Sequence, residues 1–366
     1  MSYRKAHRLI LLNRQRSLER SLHRRVERRK RIKKFLYIER LINRRKNKSK
    51  KQIQEVVVPH KLKAPADFRL TKNPKQSADF FKKMLKMKKE RLYGYTEVRI
   101  DLSKVDYIDF PSALMLNAVG EELSVCNCIV KGNTSLNPDV HRYLKESGFF
   151  NKKYTKEGKL IVAPGNSQIM EFTTGEGRWK NEYVYKFVDI LKRVYAHLAE
   201  SNTSNQDTYV SIFKEICGNA IEWGDTKRRN WTIGVKFEQN KAIFVALDLG
   251  QGILKSLDRR LKLRLTDKFK NKNDAQILEG VFDNYYGSKT KEPNRNQGLP
   301  FIKYCNAHSK IKHLCVITNN VILKFNEEGT NVFSKRNNGI IGTLYTWEID
   351  NESINKHDGN DIHSSI

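Results

Sequence analysis

Residues 1–51 contain 21 Lys and Arg, three Glu, and neither Pro nor Gly. Charge of one sign at that density is costly to bury, so the basicity belongs mainly to an N-terminal arm and linker, 1–55, rather than to the fold. The arm carries 21 minus 3, a net +18 of the chain's formal +30, and the other 315 residues carry only +12. Within the arm, Leu11, Leu18, Leu22 and Val26, then Phe35, Ile38 and Ile42, recur at near-helical spacing among arginines. That pattern predicts one or two basic amphipathic helices, followed by a polar linker from Lys46 to Lys51. Such a surface suits nucleic acid, an anionic membrane or an acidic protein groove, and electrostatics alone does not choose among them.

The remainder is ordinary globular sequence, since hydrophobic residues make up 39% and aromatic residues 10% of the whole chain. Cys126, Cys128, Cys217, Cys305 and Cys315 are odd in number and form no CxxC pair. A disulfide scaffold is thereby disfavoured, and a reducing compartment, the cytoplasm, is expected. No apolar run approaches the ~20 residues that a transmembrane helix needs. An Arg-rich, acid-poor start also invites a transit-peptide reading, which its length and low Ser content oppose.

From Val56 to about Val162 the pattern alternates: strand at Glu97–Leu102, helix at Pro111–Val125, strand at Cys128–Lys131, helix at Pro138–Glu146. This predicts a small α/β layer domain over 56–165. A second unit over 166–350 is expected, with helices at Asn181–Ala199 and Asp207–Trp223 and strands at Thr232–Glu238 and Ala242–Asp248. After a charged segment, Leu254–Asn296, come another helix and strands at His313–Thr318 and Gly342–Ile349, then a polar tail, 351–366.

Three stretches of the second unit carry chemistry. In the helix Phe213–Gly224, Glu215 and Asn219 are one turn apart on one face, with Glu222 close by. A carboxylate and a carboxamide so placed can orient a water and complete a magnesium shell around a triphosphate. The apolar strand Val245–Leu249 runs into Asp248-x-Gly250-x-Gly252, where the glycines permit a sharp turn and the Asp can accept from an exocyclic amine. In Asn294–Ile302, Gly298-Leu299 opens a helix whose free N–H groups and dipole favour phosphate. Gly342-Thr343 opens a late strand.

The ordered set E-x-x-x-N-A, D-x-G-x-G, G-L before a helix and G-T on a late strand resembles the GHKL ATPases, a superfamily that includes gyrase, histidine kinases and mismatch-repair ATPases. The local run E-x-x-x-N-A-I-x-x-G, Glu215 to Gly224, is similar to the anti-sigma serine kinases. The resemblance covers about residues 169–350 and implies a Bergerat-type α/β sandwich that binds ATP and Mg2+. It implies Glu215 as general base, Asn219 as magnesium ligand and Asp248 as acceptor for the adenine amine. Gly250 and Gly252 would then shape the adenine side, Gly298 and Leu299 would face the phosphates, Thr343 would support Asp248 through water, and 252–298 would be a mobile lid. Two positions depart from the pattern: Trp223 stands where kinase relatives carry His or Lys, and Asn296-Gln297-Gly298 is poorer in glycine than G-x-G-x-G.

The smaller domain has its own likeness. Val98–Asp109, followed by Ser112 and an apolar helix, resembles a STAS module. The family's D-S-S-G phosphoacceptor pattern is replaced by Asp109-Phe110-Pro111-Ser112-Ala113, which shifts the serine by one position. Cys305, His308, His313 and Cys315 have the residue types of a zinc site but no familiar finger spacing. These readings converge on an α/β chain acting as an ATP-dependent switch or ATPase, with nucleic acid the expected partner of residues 1–51 and an acidic protein the rival. A serine kinase and a non-catalytic nucleic-acid-binding protein with structural nucleotide are the alternatives, and a homodimer is among the assemblies left open.

Overall fold

The computed structural model describes residues 60–89, 96–126, 128–146, 149–150, 153, 161, 170–177, 180–198, 206–223, 230–261, 272–283, 297–325, 330–335 and 338–355. All of them fall within one compact contact unit, Val58–Ile366. The basic arm, and with it the expected arm helices, lies outside the described residues.

The chain begins with β1 (His60–Lys63), β2 (Asp67–Phe68) and helix α1 (Pro74–Lys86). There follow β3 (Thr96–Asp101), β4 (Tyr107–Ile108), α2 (Phe110–Val125), β5 (Cys128–Gly132) and α3 (Pro138–Glu146). Strands β1, β3 and β5 form a parallel sheet in the order β1-β3-β5, and β2 pairs with β4 in parallel. The second half contributes β6 (Met170–Glu176), α4 (Asn181–His197), α5 (Gln206–Trp223), β7 (Asn230–Glu238) and β8 (Lys241–Asp248). It continues with α6 (Ile253–Leu261), α7 (Asp274–Phe282), α8 (Gly298–Ala307), β9 (Lys312–Thr318), β10 (Val321–Lys324), β11 (Asn331–Val332), β12 (Thr343–Asp350) and α9 (Asn351–Asn355). Seven of these strands form one antiparallel sheet in the order β11-β10-β9-β12-β8-β7-β6. The class is therefore mixed α/β, as the sequence predicts.

The period of two along each strand decides which residues meet which layer. On β8, Ala242, Phe244 and Ala246 enter a core with Phe213, Ile216 and Cys217 of α5, Phe187 and Leu191 of α4 and Leu278 of α7. Their alternates, Val245 and Leu247, enter the other core with Leu114, Met115 and Val119 of α2. The same alternation separates Val316 from Cys315 and Ile317 on β9, and Tyr345 and Trp347 from Leu344 on β12. The large sheet is thus buried on both faces, helices on one side and the N-terminal α/β layers on the other. This is why β8 reads as an almost unbroken apolar run.

Two elements differ from their sequence reading. The charged stretch Leu254–Asn296 contains α6 and α7, whose Leu254, Leu257, Ala275, Ile277, Leu278 and Phe282 are buried. Its described parts are packed helices. Asn273 starts α7 with a capping box, its side chain accepting from Gln276 N–H while Gln276 reaches back to the Asn273 N–H. Residues 351–355, the start of the expected polar tail, form α9, in which Ile354 is buried and the Ser353 carbonyl accepts from the Tyr209 hydroxyl.

Candidate functional site

Four side chains of the large sheet lie at one end of its helix-facing side. Register places Trp231 opposite Asp248, and Thr343 opposite Thr318. Leu344 lies opposite Leu247, which sets Thr343 beside Asp248. Each shares parity with residues that enter the helix-side core. Trp231, Asp248, Thr343 and Thr318 therefore form a row across β7, β8, β12 and β9.

Asp248 is the charged member of that row. Its Oδ1 accepts from the Gly250 N–H at 2.6 Å, and Thr343 donates to it from both backbone and side chain. Burial nevertheless outweighs these donors and pushes the carboxyl up to about 6. The Thr343 and Thr318 hydroxyls are 3.2 Å apart, which extends the network across the next strand pair. Gly342 has φ +83°, and a Cβ there would overlap the Asp248 carbonyl, so only glycine lets β12 approach so closely.

The turn after Asp248 is pinned from the far side by residues that sequence reasoning passed over. Thr318 Oγ1 accepts from the Ile253 N–H, and Asn319 Oδ1 accepts from the Leu254 N–H, both at 3.0 Å. Asn319 Nδ2 donates to the Gln251 carbonyl at 2.8 Å. Gly252, with φ +81°, sits so close that a Cβ would lie 2.6 Å from Asn319 Oδ1. Asn319 itself has φ +53°, which Asn tolerates better than most residues. The legible signal was the pair Asn319-Asn320 between two apolar strands, a two-residue connection favoured in hairpins.

Beneath the sheet, α5 buries Ile212, Phe213, Ile216, Cys217, Ala220 and Ile221. That leaves Glu215 and Asn219 together on its flank, as their spacing predicts. The Asn219 Nδ2 is buried and has no hydrogen-bond partner among the described residues. The Glu215 carboxylate lies against the first residue of α8: a Cβ on Gly298 would overlap its Oε2. Burial raises the Glu215 carboxyl above its ordinary range, Lys214 opposes that rise, and Glu222 adds to it. Gln297 occupies the N-cap of α8 with no capping hydrogen bond from its side chain, and Pro300 contributes no N–H. The Gly298 and Leu299 N–H groups are the first-turn donors aimed out of that end. Leu299 packs partly buried on the helix-side core.

The structure thus joins Glu215 to Gly298 and joins Asp248 to Gly250, Gly342 and Thr343, on the same side of one sheet. Trp223 ends α5, and 291–296 lie outside the described residues. The other candidates do not assemble. Ser112 is fully buried and its hydroxyl accepts from the Leu70 N–H at 2.9 Å, while its own N–H donates to the Asp109 cap. That serine secures the start of α2 and is closed to a modifying enzyme. Cys305 belongs to the helix-side core and Cys315 to the opposite face of the sheet, so they cannot share an ion. The His308 ring lies tilted against the Tyr304 ring, centroids 3.8 Å apart. Among the described residues no group of three or more His, Cys, Asp or Glu is arranged to hold a metal, and no helix is long and apolar enough to cross a membrane.

Comparison with protein-family models, with curated proteins and with solved structures yields no significant match. The site must therefore be read from its own chemistry.

Proposed function

We propose that this chain binds an adenine nucleotide between α5, α8 and the Asp248 end of the sheet, in the manner of a GHKL-type pocket. The observation that carries the reading is Asn219. A carboxamide whose Nδ2 is buried without a partner costs ~1–3 kcal/mol. Such a cost persists where a ligand repays it. The half-buried Glu215 carboxylate one turn away, against the mouth of a helix whose N-cap residue gives no side-chain cap, gives the same place an acceptor and a phosphate cradle.

In this reading the Asp248 carboxylate accepts the adenine amine while Gly250 and Thr343 hold it in place. Gly342 and Gly252 let the walls close on the base, and the Gly298 and Leu299 N–H groups face the phosphates. Asn219 would hold a magnesium ion through its side-chain oxygen, as one of the few protein ligands usual for Mg2+, while its buried Nδ2 would donate to a phosphate oxygen. That fits a site without a cluster of three carboxylate or imidazole ligands. The ion would offset phosphate charge. A Glu215 carboxyl raised by its surroundings is suited to taking a proton from water near neutral pH.

Activity follows as an ATP-dependent switch or hydrolase, in which nucleotide alters how the N-terminal layers or the basic arm engage a partner. Incubation of the full-length chain with γ-labelled ATP tests this. Free phosphate, lost in Glu215→Gln with nucleotide retained, is the expected result. Label on protein would establish a kinase instead, and retained nucleotide with neither product would leave a binding protein. No retention of nucleotide would end the proposal.

A further inference from the structure

Far from that pocket in sequence, a cleft of about 510 Å3 opens beside β1. One wall is the strand and its continuation, Lys61 to Pro65, and the other is α1 through Gln76, Asp79, Phe80 and Lys83. The helix residues are spaced i, i+3, i+4 and i+7, so they form one face looking across the cleft. Strand β1 is an edge of its sheet, with β3 as its only partner among the described residues.

The backbone of that edge has a definite polarity. The Ala64 N–H donates to the Asp101 carbonyl, toward β3. Because a strand residue turns its N–H and C=O to the same side, and sides alternate along the chain, Leu62 also faces β3. Lys61 and Lys63 therefore turn their N–H and C=O groups outward into the cleft. The floor includes Phe80, buried in the core, and Leu62, packed against it. The rim is basic: Lys61, Lys63 and Lys83 stand against Asp79, with Lys61 also 3.5 Å from Asp101.

We propose that this cleft receives an extended acidic segment of a partner protein, which adds as a strand to β1 and lies between it and α1. An open strand edge with a helix alongside is the geometry by which domains capture peptides through main-chain hydrogen bonds, with side-chain pockets adding selectivity. The charge decides the partner's chemistry: the lysine rim attracts Glu- and Asp-bearing strands and repels basic ones. This proposal is independent of the nucleotide site.

The test uses the full-length protein and a fluorescent ten-residue peptide alternating Glu with Val, capped at both ends, followed by anisotropy. Because the basic arm can also attract acidic peptide, two controls isolate the cleft. Lys63→Glu and Lys83→Glu exchange charge at exposed positions without touching the arm, and a peptide N-methylated at alternate residues keeps its charge but loses one edge of donors. Binding that falls at least tenfold in the double variant, and comparably for the N-methylated peptide, supports strand addition. Equal affinity of parent and double variant, equal affinity of the two peptides, or no binding at ~50 mM salt overturns it.

Discussion

Asp248 is held in conflict: it accepts from Gly250 and Thr343, yet its surroundings raise its carboxyl to about 6 from an ordinary 3.8. A shift of that size means that the ionised form costs the ligand-free fold on the order of 3 kcal/mol at neutral pH. That cost is relieved as pH falls through 6, so acidification favours the empty, protonated site. In the proposed pocket nucleotide favours the opposite form, because the carboxylate accepts from an amine more strongly than the neutral acid and has no O–H to turn against it. Affinity should therefore be constant above pH ~6.5 and weaken below 6, approaching tenfold per pH unit, with proton release on binding near pH 6. Calorimetry in two buffers of different ionisation enthalpy checks both. At Gly342 the expectation is steric: Gly342→Ala combines φ +83° with overlap of the Asp248 carbonyl and should destabilise by ~1–3 kcal/mol or more, read as a lowered urea midpoint.

Elements rather than single residues hold the turn that follows Asp248. The connection from β9 to β10 reaches across through Thr318 and Asn319 to fix the start of α6. Asn319→Ala removes the hydrogen bonds to Leu254, Gln251 and Thr318 and strips a residue suited to its positive φ, so it should loosen 249–254. A loss of ~1–3 kcal/mol is expected, with nucleotide affinity falling although Asn319 contacts no ligand in this reading. Hydrogen exchange at the Leu254 amide, faster in the variant, is the measurement. This brace also marks where sequence reading ended. Glu215, Asn219 and Asp248 were legible because helix period and strand-end position fix their direction without reference to anything distant. Asn319 was not, since its partners lie 65 to 68 residues away. Helix α1 was signalled by Asn73-Pro74 and by Phe80, Phe81, Met84 and Leu85, but its lysines masked the stripe. The capping box Asn273–Gln276 could have disclosed α7 inside the charged segment. That both faces of the large sheet are covered was hinted at only by the continuous apolar run of β8.

At the scale of the molecule, Leu247 and Leu249 flank Asp248 in sequence and pack into the core shared with α2. The row through Asp248 and the N-terminal layers therefore rest on opposite sides of the same strand. Leu114→Ala in α2, a fully buried residue of that shared core, should cost ~2–5 kcal/mol. Unfolding followed by Trp fluorescence, to which Trp231 and Trp347 on the far face are two of four contributors, should shift with far-UV dichroism as one transition. Two separate transitions would show that the halves unfold independently. The arm, +18 over 51 residues, calls for a separate measurement. Its affinity for nucleic acid should fall log-linearly with salt, ~0.9 per neutralised phosphate on duplex DNA, and deletion of 1–51 should abolish it while leaving nucleotide affinity unchanged. The central claim is tested most directly by titrating Mg·ATP into the full-length chain and its Asp248→Ala variant at pH 7.5 in a calorimeter. The account predicts one site on the parent and at least tenfold weaker binding by a variant that still melts cooperatively, the expected loss being ~1.5–3 kcal/mol for a hydrogen bond to a charged group. Equal affinity in the two proteins, or no heat from the parent at millimolar nucleotide, would contradict it.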